Sequence, residues 1–155
     1  MPCLVTETGP IDESLDIMKW ALAQNDPEGW RDMPSEGHDW IARADGPFKD
    51  ALDRTKYATR YPEADPEEQR AKAATFLHDL DAQLGDWIFD RPTLADYAIL
   101  PFVRQFAFID RAWFDAQNWP ALRGWLDRFL ASPRFESVMD KYPQWQPEDT
   151  PVSFP

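Results

Sequence analysis

The chain has 155 residues, which is enough for one domain with a core of its own. Its formal net charge of −12 argues against nucleic acid and anionic membranes as partners, because both would repel it. Apolar residues make up 43% of the sequence and include 8 Trp and 10 Phe, which excludes the disordered class.

Cys3 is the only cysteine, so no disulfide can form within the chain, and a reducing, cytoplasmic location is expected. The first residues also lack the basic and long apolar segments of a signal peptide. No Lys, Arg or His near Cys3 in the sequence would lower the pKa of its thiol. We therefore expect no catalytic cysteine and assign no catalytic residue.

The first 24 residues predict two short strands followed by a helix. Residues 3–6 and 10–12 fit strands on either side of a turn. Residues 14–24 carry apolar side chains at helical spacing, and Ser14 is the expected cap of that helix. The stretch 25–36 contains Pro and Gly without any periodicity, which predicts a linker.

Residues 37–142 predict a helical domain. A short helix around Asp39–Ala44 should break at Gly46-Pro47 and resume over Phe48–Arg60. Asp65 is a natural cap for the next helix, with Pro and Glu in its first turn. The predicted buried face of that helix consists of Ala73, Phe76, Leu77, Leu80 and Leu84.

The stretch 91–110 predicts the central helix of the domain. Its apolar residues extend nearly all the way round a helical wheel, which is typical of a buried helix. Thr93 can cap the first turn, and Asp96 can reach back to the Thr93 amide. Pro101 should bend the helix.

Arg104 places a charge inside this central helix, and a buried Arg needs a partner. Asp53 and Asp110 are the candidates for a structural ion pair. Residues 119–131 predict a further helix, and Ser132-Pro133 begins a last one. The last helix should be buried through Phe135, Val138 and Met139, followed by an extended tail over 143–155.

Residues 93–102, TLADYAILPF, resemble the capping box and central helix of the glutathione transferase C-terminal domain. The Trp-Leu, Ser, Phe and Lys-Tyr-Pro elements that follow strengthen the resemblance. It implies a mainly α fold: a glutathione transferase C-terminal-like helical bundle over 37–142 with a short N-terminal β-hairpin and helix.

In this family a thioredoxin-like domain precedes the helical one, and its second half runs strand, strand, helix. Met1–Leu4 resembles the V-P-x-L motif of that half, and Ile11–Ile17 resembles its E-S helix start. Residues 1–24 thus resemble a truncated thioredoxin-like half. The family's catalytic Tyr, Ser or Cys lies in the first half, which has no counterpart in this sequence.

The resemblance assigns glutathione binding to Glu13, Ser14, Pro2 and Met1. A Ser at a helix N-terminus offers a hydroxyl and free N–H groups to a carboxylate, here the γ-glutamyl carboxylate, with Glu13 assisting. Pro2 resembles the family's cis-proline, which presents the backbone of the preceding residue to the cysteinyl part. The alternatives are an ordinary helix cap for Ser14 and a proline at a frayed terminus for Pro2.

Other residues carry weaker signals. His38 and His78 have no third ligand, so we expect surface histidines and no metal site. The run Lys56–Tyr61 is basic and aromatic. It fits cations placed at a helix C-terminus, with contact to an electrophilic substrate as the alternative, since this helix lines the acceptor cleft in the family.

Two functions remain open. One is a glutathione S-transferase-like protein, acting on glutathione and a small electrophile, that is inactive or an incomplete fragment as written. The other is a non-catalytic glutathione transferase-like module for interaction and dimerisation. A strand at Cys3–Thr6 would have an uncovered edge without charged side chains, which predicts a homodimer paired through this edge.

Overall fold

The structure, a computed structural model, describes residues 2–144 and 146–152. The described residues form a short hairpin and a series of helices. In chain order these are β1 (Leu4–Thr6), β2 (Gly9–Ile11), α1 (Ser14–Gln24), α2 (Glu36–Arg43), α3 (Lys49–Lys56), α4 (Pro66–Gln83), α5 (Leu94–Ala107), α6 (Arg111–Asp115), α7 (Pro120–Leu130) and α8 (Pro133–Ser137). The mainly helical fold with an N-terminal hairpin is as predicted.

The hairpin pairs β1 and β2 in an antiparallel ladder, with Thr6 opposite Gly9. Gly9 has a φ of 125°, a backbone conformation that residues with a side chain rarely adopt. The Thr6 hydroxyl donates to the Gly9 carbonyl at 2.8 Å and closes the turn. Helix α1 follows and packs against the helical core through one side. That side consists of Leu15, Met18 and Leu22.

Helix α5 forms the centre of the helical domain. It packs against α2, α3 and α7, and its side chains are buried on nearly every side. The buried residues of α5 are Leu94, Ala95, Asp96, Ile99, Leu100, Val103, Phe106 and Ala107. The predicted central helix is therefore confirmed. None of the helices in the described part of the chain has the length and apolar content to cross a membrane.

The predicted break at Gly46-Pro47 is wrong. The chain continues from α2 to α3 through a π-helical turn, Ala44–Phe48, and the Lys49 amide donates to the Ala44 carbonyl. Pro47 has no N–H to donate and its ring would clash in an α-helical turn. The wider π turn accommodates that ring, so the helix widens at Pro47 instead of stopping.

Helices α4 and α8 both begin at the predicted cap residues, but α8 is shorter than predicted. The Asp65 carboxylate accepts from the Glu67 amide at 2.9 Å, as predicted, and the predicted buried face of α4 is confirmed. Ser132 likewise caps α8. Because α8 ends at Ser137, Val138 and Met139 are 55% and 45% exposed, so their predicted burial is wrong.

The carboxylate of Asp96 is fully buried and accepts four hydrogen bonds. Two come from Thr93, from the amide at 2.9 Å and the hydroxyl at 3.1 Å, which confirms that Asp96 reaches back to the helix cap. The others come from the Ile88 amide at 3.0 Å and the Trp125 indole at 3.1 Å. Burial raises the pKa of Asp96, while these hydrogen bonds oppose the rise.

We predict that Asp96→Ala lowers the free energy of unfolding by roughly 3–5 kcal/mol, well above the ~1 kcal/mol of a cap alone. The substitution leaves the donors of Ile88, Thr93 and Trp125 buried without an acceptor. Urea denaturation measures the change. Asp90→Ala, at an exposed position, is the control and should have little effect. A loss no larger than that of a surface cap would contradict the prediction.

Candidate functional site

Several residues singled out in the sequence lie at the open end of the hairpin. The paired strands end at Leu4 and Ile11, and the residues just beyond this last pair are Cys3 and Asp12. The nearby Asp12 carboxylate raises the pKa of the Cys3 thiol. The raised pKa disfavours the thiolate, which is the form that a nucleophilic cysteine needs.

Helix α1 begins at this same end. Ser14 is its first residue, and the extended residue Glu13 occupies the cap position, with its carbonyl accepting from the Ile17 amide at 2.9 Å. Neither residue forms a side-chain cap in the described structure, so the predicted role of Ser14 as the cap is wrong. The consequence is a helix start whose first N–H groups have no side-chain acceptor.

The charges around this helix start are mostly negative. Asp12 and Glu13 precede it, and Asp16 lies in its first turn, where Lys19 pairs with it at 3.3 Å. Free N–H groups and the helix dipole attract a carboxylate, whereas the surrounding carboxylates attract an ammonium group. The arrangement suits a ligand group that carries both charges. Met1 lies outside the described residues, and so does the Met1–Pro2 bond.

Side chains from the linker and from two helices form a cluster that the sequence does not predict. The cluster lies next to Leu22 of α1. Trp30 stacks on Tyr97 with ring centroids 3.9 Å apart, and the Arg134 guanidinium lies 4.7 Å and 5.2 Å from these two rings. Arg134 also bonds to Glu28 at 2.5 Å and lowers the pKa of that carboxyl. We call Glu28, Trp30, Tyr97 and Arg134 the linker clamp.

Arg91 holds the backbone of the same linker. Its guanidinium donates to the carbonyls of Glu28, Gly29 and Asp32 and to the Asp32 carboxylate at 2.6 Å. Gly29 has a φ of 68°, and a side chain there would meet the Arg91 guanidinium at 3.2 Å. The linker is thus fixed to the loop before α5. No local pattern reveals this, because Arg91 and Asp32 are 59 positions apart.

Residues 38–128, which run from α2 into α7, match the family model of the glutathione S-transferase C-terminal domain. The chain belongs to this family. A segment of 55 residues is 38% identical to the trimodular acetylaranotin synthesis protein ataIMG of Aspergillus terreus. The aligned segment covers 36% of this chain and 6% of that protein. No solved structure matches the chain.

The family match confirms the sequence resemblance for the helical domain and leaves the hairpin outside it. Glu13, Ser14, Pro2 and Met1 all precede the matched residues, so their assignment to glutathione stays a prediction.

The remaining candidates lie apart from the hairpin end. His38 and His78 are exposed, and no group of His, Cys, Asp and Glu in the described ranges is placed to hold a metal. Tyr57 lies between Lys56 and Arg60, which are 5.0 Å and 4.6 Å from its ring. These contacts support a structural interpretation of the basic and aromatic run.

The predicted ion pair of Arg104 is wrong. Within the described residues its guanidinium has no carboxylate partner and instead lies 5.5 Å and 5.1 Å from the rings of Phe108 and Phe135. Of the two predicted partners, Asp53 pairs with Lys49, and Asp110 caps α6. Aromatic faces attract a weakly hydrated guanidinium, so the charge does not require a carboxylate.

We predict that Arg134→Ala loosens the linker by about 1 kcal/mol, given the partial exposure of the ion pair. The variant loses both the bond to Glu28 and the contacts with the two rings. Hydrogen–deuterium exchange should become several-fold faster in residues 26–34, with α4 unchanged.

The matched control for this prediction is Arg128→Ala. Arg128 makes the same kinds of contact away from the linker. It pairs with Asp86 at 2.9 Å, and its guanidinium lies 5.3 Å from the Trp87 ring. It should leave exchange in residues 26–34 unchanged. Equal exchange rates in residues 26–34 of the two variants would contradict a specific role of the linker clamp in ordering the linker.

Proposed function

We propose that this chain is a glutathione transferase-like protein that binds glutathione at the open end of its hairpin. The observation that carries the proposal is the start of α1, where the first N–H groups have no side-chain acceptor and the exposed carboxylates of Asp12 and Glu13 precede Ser14. Family membership supports glutathione as the ligand. The thioredoxin-like character of residues 1–24, with 25–36 as the linker to the helical domain, is part of this proposal.

The γ-glutamyl end of glutathione carries a carboxylate and an ammonium group, and the hairpin end offers a counterpart to each. The carboxylate would accept from the Ser14 hydroxyl and from the uncapped N–H groups of α1. The ammonium would lie by the carboxylates of Glu13 and Asp12, both exposed at this end. Pro2, with Met1, would meet the cysteinyl part.

Conjugation by this chain alone should be slow or absent. Adding glutathione to an electrophile requires the thiolate, which needs a hydrogen-bond donor or a positive field. The side chains of this site are instead acidic, with Asp12, Glu13 and Asp16 close together in the sequence, and the Cys3 thiol has a raised pKa. Negative charges nearby oppose formation of the glutathione thiolate. We place the protein in the cytoplasm, consistent with its single thiol.

The exposed side of the hairpin favours a second function, association of two copies. Val5 is 79% exposed at the middle of β1, and Trp20 of α1 is 39% exposed. The two side chains line one shallow groove between the hairpin and α1. In the described residues β1 pairs with β2 alone, so one edge of β1 is open. An uncharged open edge favours pairing with another strand. A homodimer about a two-fold axis would satisfy both copies.

We predict that Ser14→Ala weakens glutathione binding about tenfold, because a hydrogen bond to a charged group is lost. Isothermal titration of the chain with glutathione measures the affinity. Ser35→Ala is the matched control, since Ser35 also lies at a helix start, is exposed, and makes no cap hydrogen bond. If wild type shows no saturable binding, the proposed site is wrong. An aryl halide assay should detect no turnover above the uncatalysed rate.

We predict that Val5→Pro converts a dimer to monomers at tens of micromolar, because Pro removes the amide and distorts the edge of β1. Light scattering gives the mass of each species. Val5→Thr, which retains the amide and the strand preference, should remain dimeric. Monomers in all three samples would contradict pairing through β1.

A further inference from the structure

The end of α8 leaves part of an apolar stripe uncovered. Phe135, Val138 and Met139 follow the spacing of one helical face. The chain keeps a helical turn past the end of α8, where the Met139 amide donates to the Glu136 carbonyl at 3.2 Å. Phe135 packs on Phe129 with ring centroids 5.1 Å apart, whereas Val138 and Met139 are exposed. A single chain therefore buries only the first residue of the stripe.

Arg104 connects this stripe with the end of α5. Its guanidinium lies 5.1 Å from the ring of Phe135 and 5.5 Å from the ring of Phe108. Phe108 directly follows the last residue of α5 and is 58% exposed. We call Phe108, Arg104, Phe135, Val138 and Met139 the α8 face. Exposed apolar side chains around an arginine are typical of a surface that contacts another protein.

The guanidinium of Arg104 lacks a hydrogen-bond acceptor. Its Nε is buried and has no partner in the part of the chain that the structure describes. The rings of Phe108 and Phe135 attract the charge but accept no ordinary hydrogen bond. A carboxylate can accept two parallel N–H bonds from an arginine, and such a pair is stronger than a neutral hydrogen bond. The α8 face thus fits a partner that brings both apolar surface and a carboxylate.

The α8 face also has a carboxylate beside it. Glu136 is exposed, adjoins Phe135 in the chain, and forms no ion pair within the described ranges. Arg134, the cation of the same helix, is already paired with Glu28. In a contact about a two-fold axis, the same surface of each copy meets the other, so a cation and an anion on one surface can each find a partner.

We propose that the α8 face binds a second copy of this chain, with Arg104 of each copy paired with Glu136 of the other. Phe108, Val138 and Met139 would pack between the two ion pairs. A different acidic partner would be repelled by the exposed carboxylates of Glu136 and Asp140, whereas a second copy uses Glu136 as the counter-ion of Arg104.

The contact shares no residue with the edge of β1 and does not depend on pairing there. Each copy has a formal net charge of −12, and this repulsion opposes association. We therefore expect the α8 face to pair at several hundred micromolar and not at tens of micromolar.

The Val5→Pro variant isolates the α8 face, because pairing through β1 is removed. Light scattering should show monomers at tens of micromolar and dimers at several hundred micromolar. Adding Val138→Asp, at an exposed position outside the helices, should raise the dissociation constant at least about tenfold with an unchanged urea midpoint. Trp20→Asp is the matched control, since it adds the same charge at an exposed apolar residue of α1 and should leave the dimer intact.

An exchange of charges tests the ion pair itself. In the Val5→Pro background, Arg104→Glu and Glu136→Arg each place like charges opposite one another and should stay monomeric alone. An equimolar mixture should form dimers, because both pairs of charges across the contact are then opposite. If Arg104→Glu does not fold, Glu136→Arg at its exposed position decides by abolishing the dimer or leaving it.

Three results overturn the proposal. The first is a Val5→Pro variant that stays monomeric at several hundred micromolar. The second is a dimer that survives Val138→Asp or Glu136→Arg. The third is a mixture of the two folded charge variants that stays monomeric.

Discussion

The buried carboxylate of Asp96 is the interaction on which the helical domain depends. It joins three segments: the loop at Ile88, the start of α5 at Thr93 and helix α7 at Trp125. Removing a carboxylate from water costs several kcal/mol, and only a complete set of donors offsets that cost. Because α5 forms the centre of the core, the position of α7 and the path of the loop both follow from this one group.

The same end of α5 also holds the front of the molecule. The Leu94 amide donates to the Trp30 carbonyl at 2.9 Å, and Tyr97, one turn into the helix, stacks on the Trp30 ring. Arg91 completes the attachment from the preceding loop. The start of α5 therefore fixes the direction in which the linker leaves the core. This attachment and the packing of Leu15, Met18 and Leu22 against the core together orient α1.

The features that sequence predicts well are those whose interacting residues lie a few positions apart in the chain. The reach of Asp96 back to Thr93 spans one helical turn, and sequence identifies it. The predicted break at Pro47 is wrong because a proline can either end a helix or be accommodated in a wider turn, and packing decides between the two. Glu28 and Arg134 are 106 positions apart, so no local sequence pattern predicts the linker clamp. At the candidate site, the predicted start of α1 agrees with the structure, but Glu13 and not Ser14 occupies the cap position.

The charge of the chain shapes the candidate site as much as its geometry does. Two cations outside the hairpin already have partners: Arg134 pairs with Glu28 in the linker clamp, and Arg104 lies close to the rings of Phe108 and Phe135. Within the first 24 residues Lys19 is the only cation, and it pairs with Asp16. A carboxylate at the start of α1 would meet backbone N–H groups and the helix dipole, with no unpaired Lys or Arg side chain among the first 24 residues. Such a site holds an anion only when the ligand also brings a positive charge for the surrounding carboxylates, which favours a zwitterionic group over a simple anion.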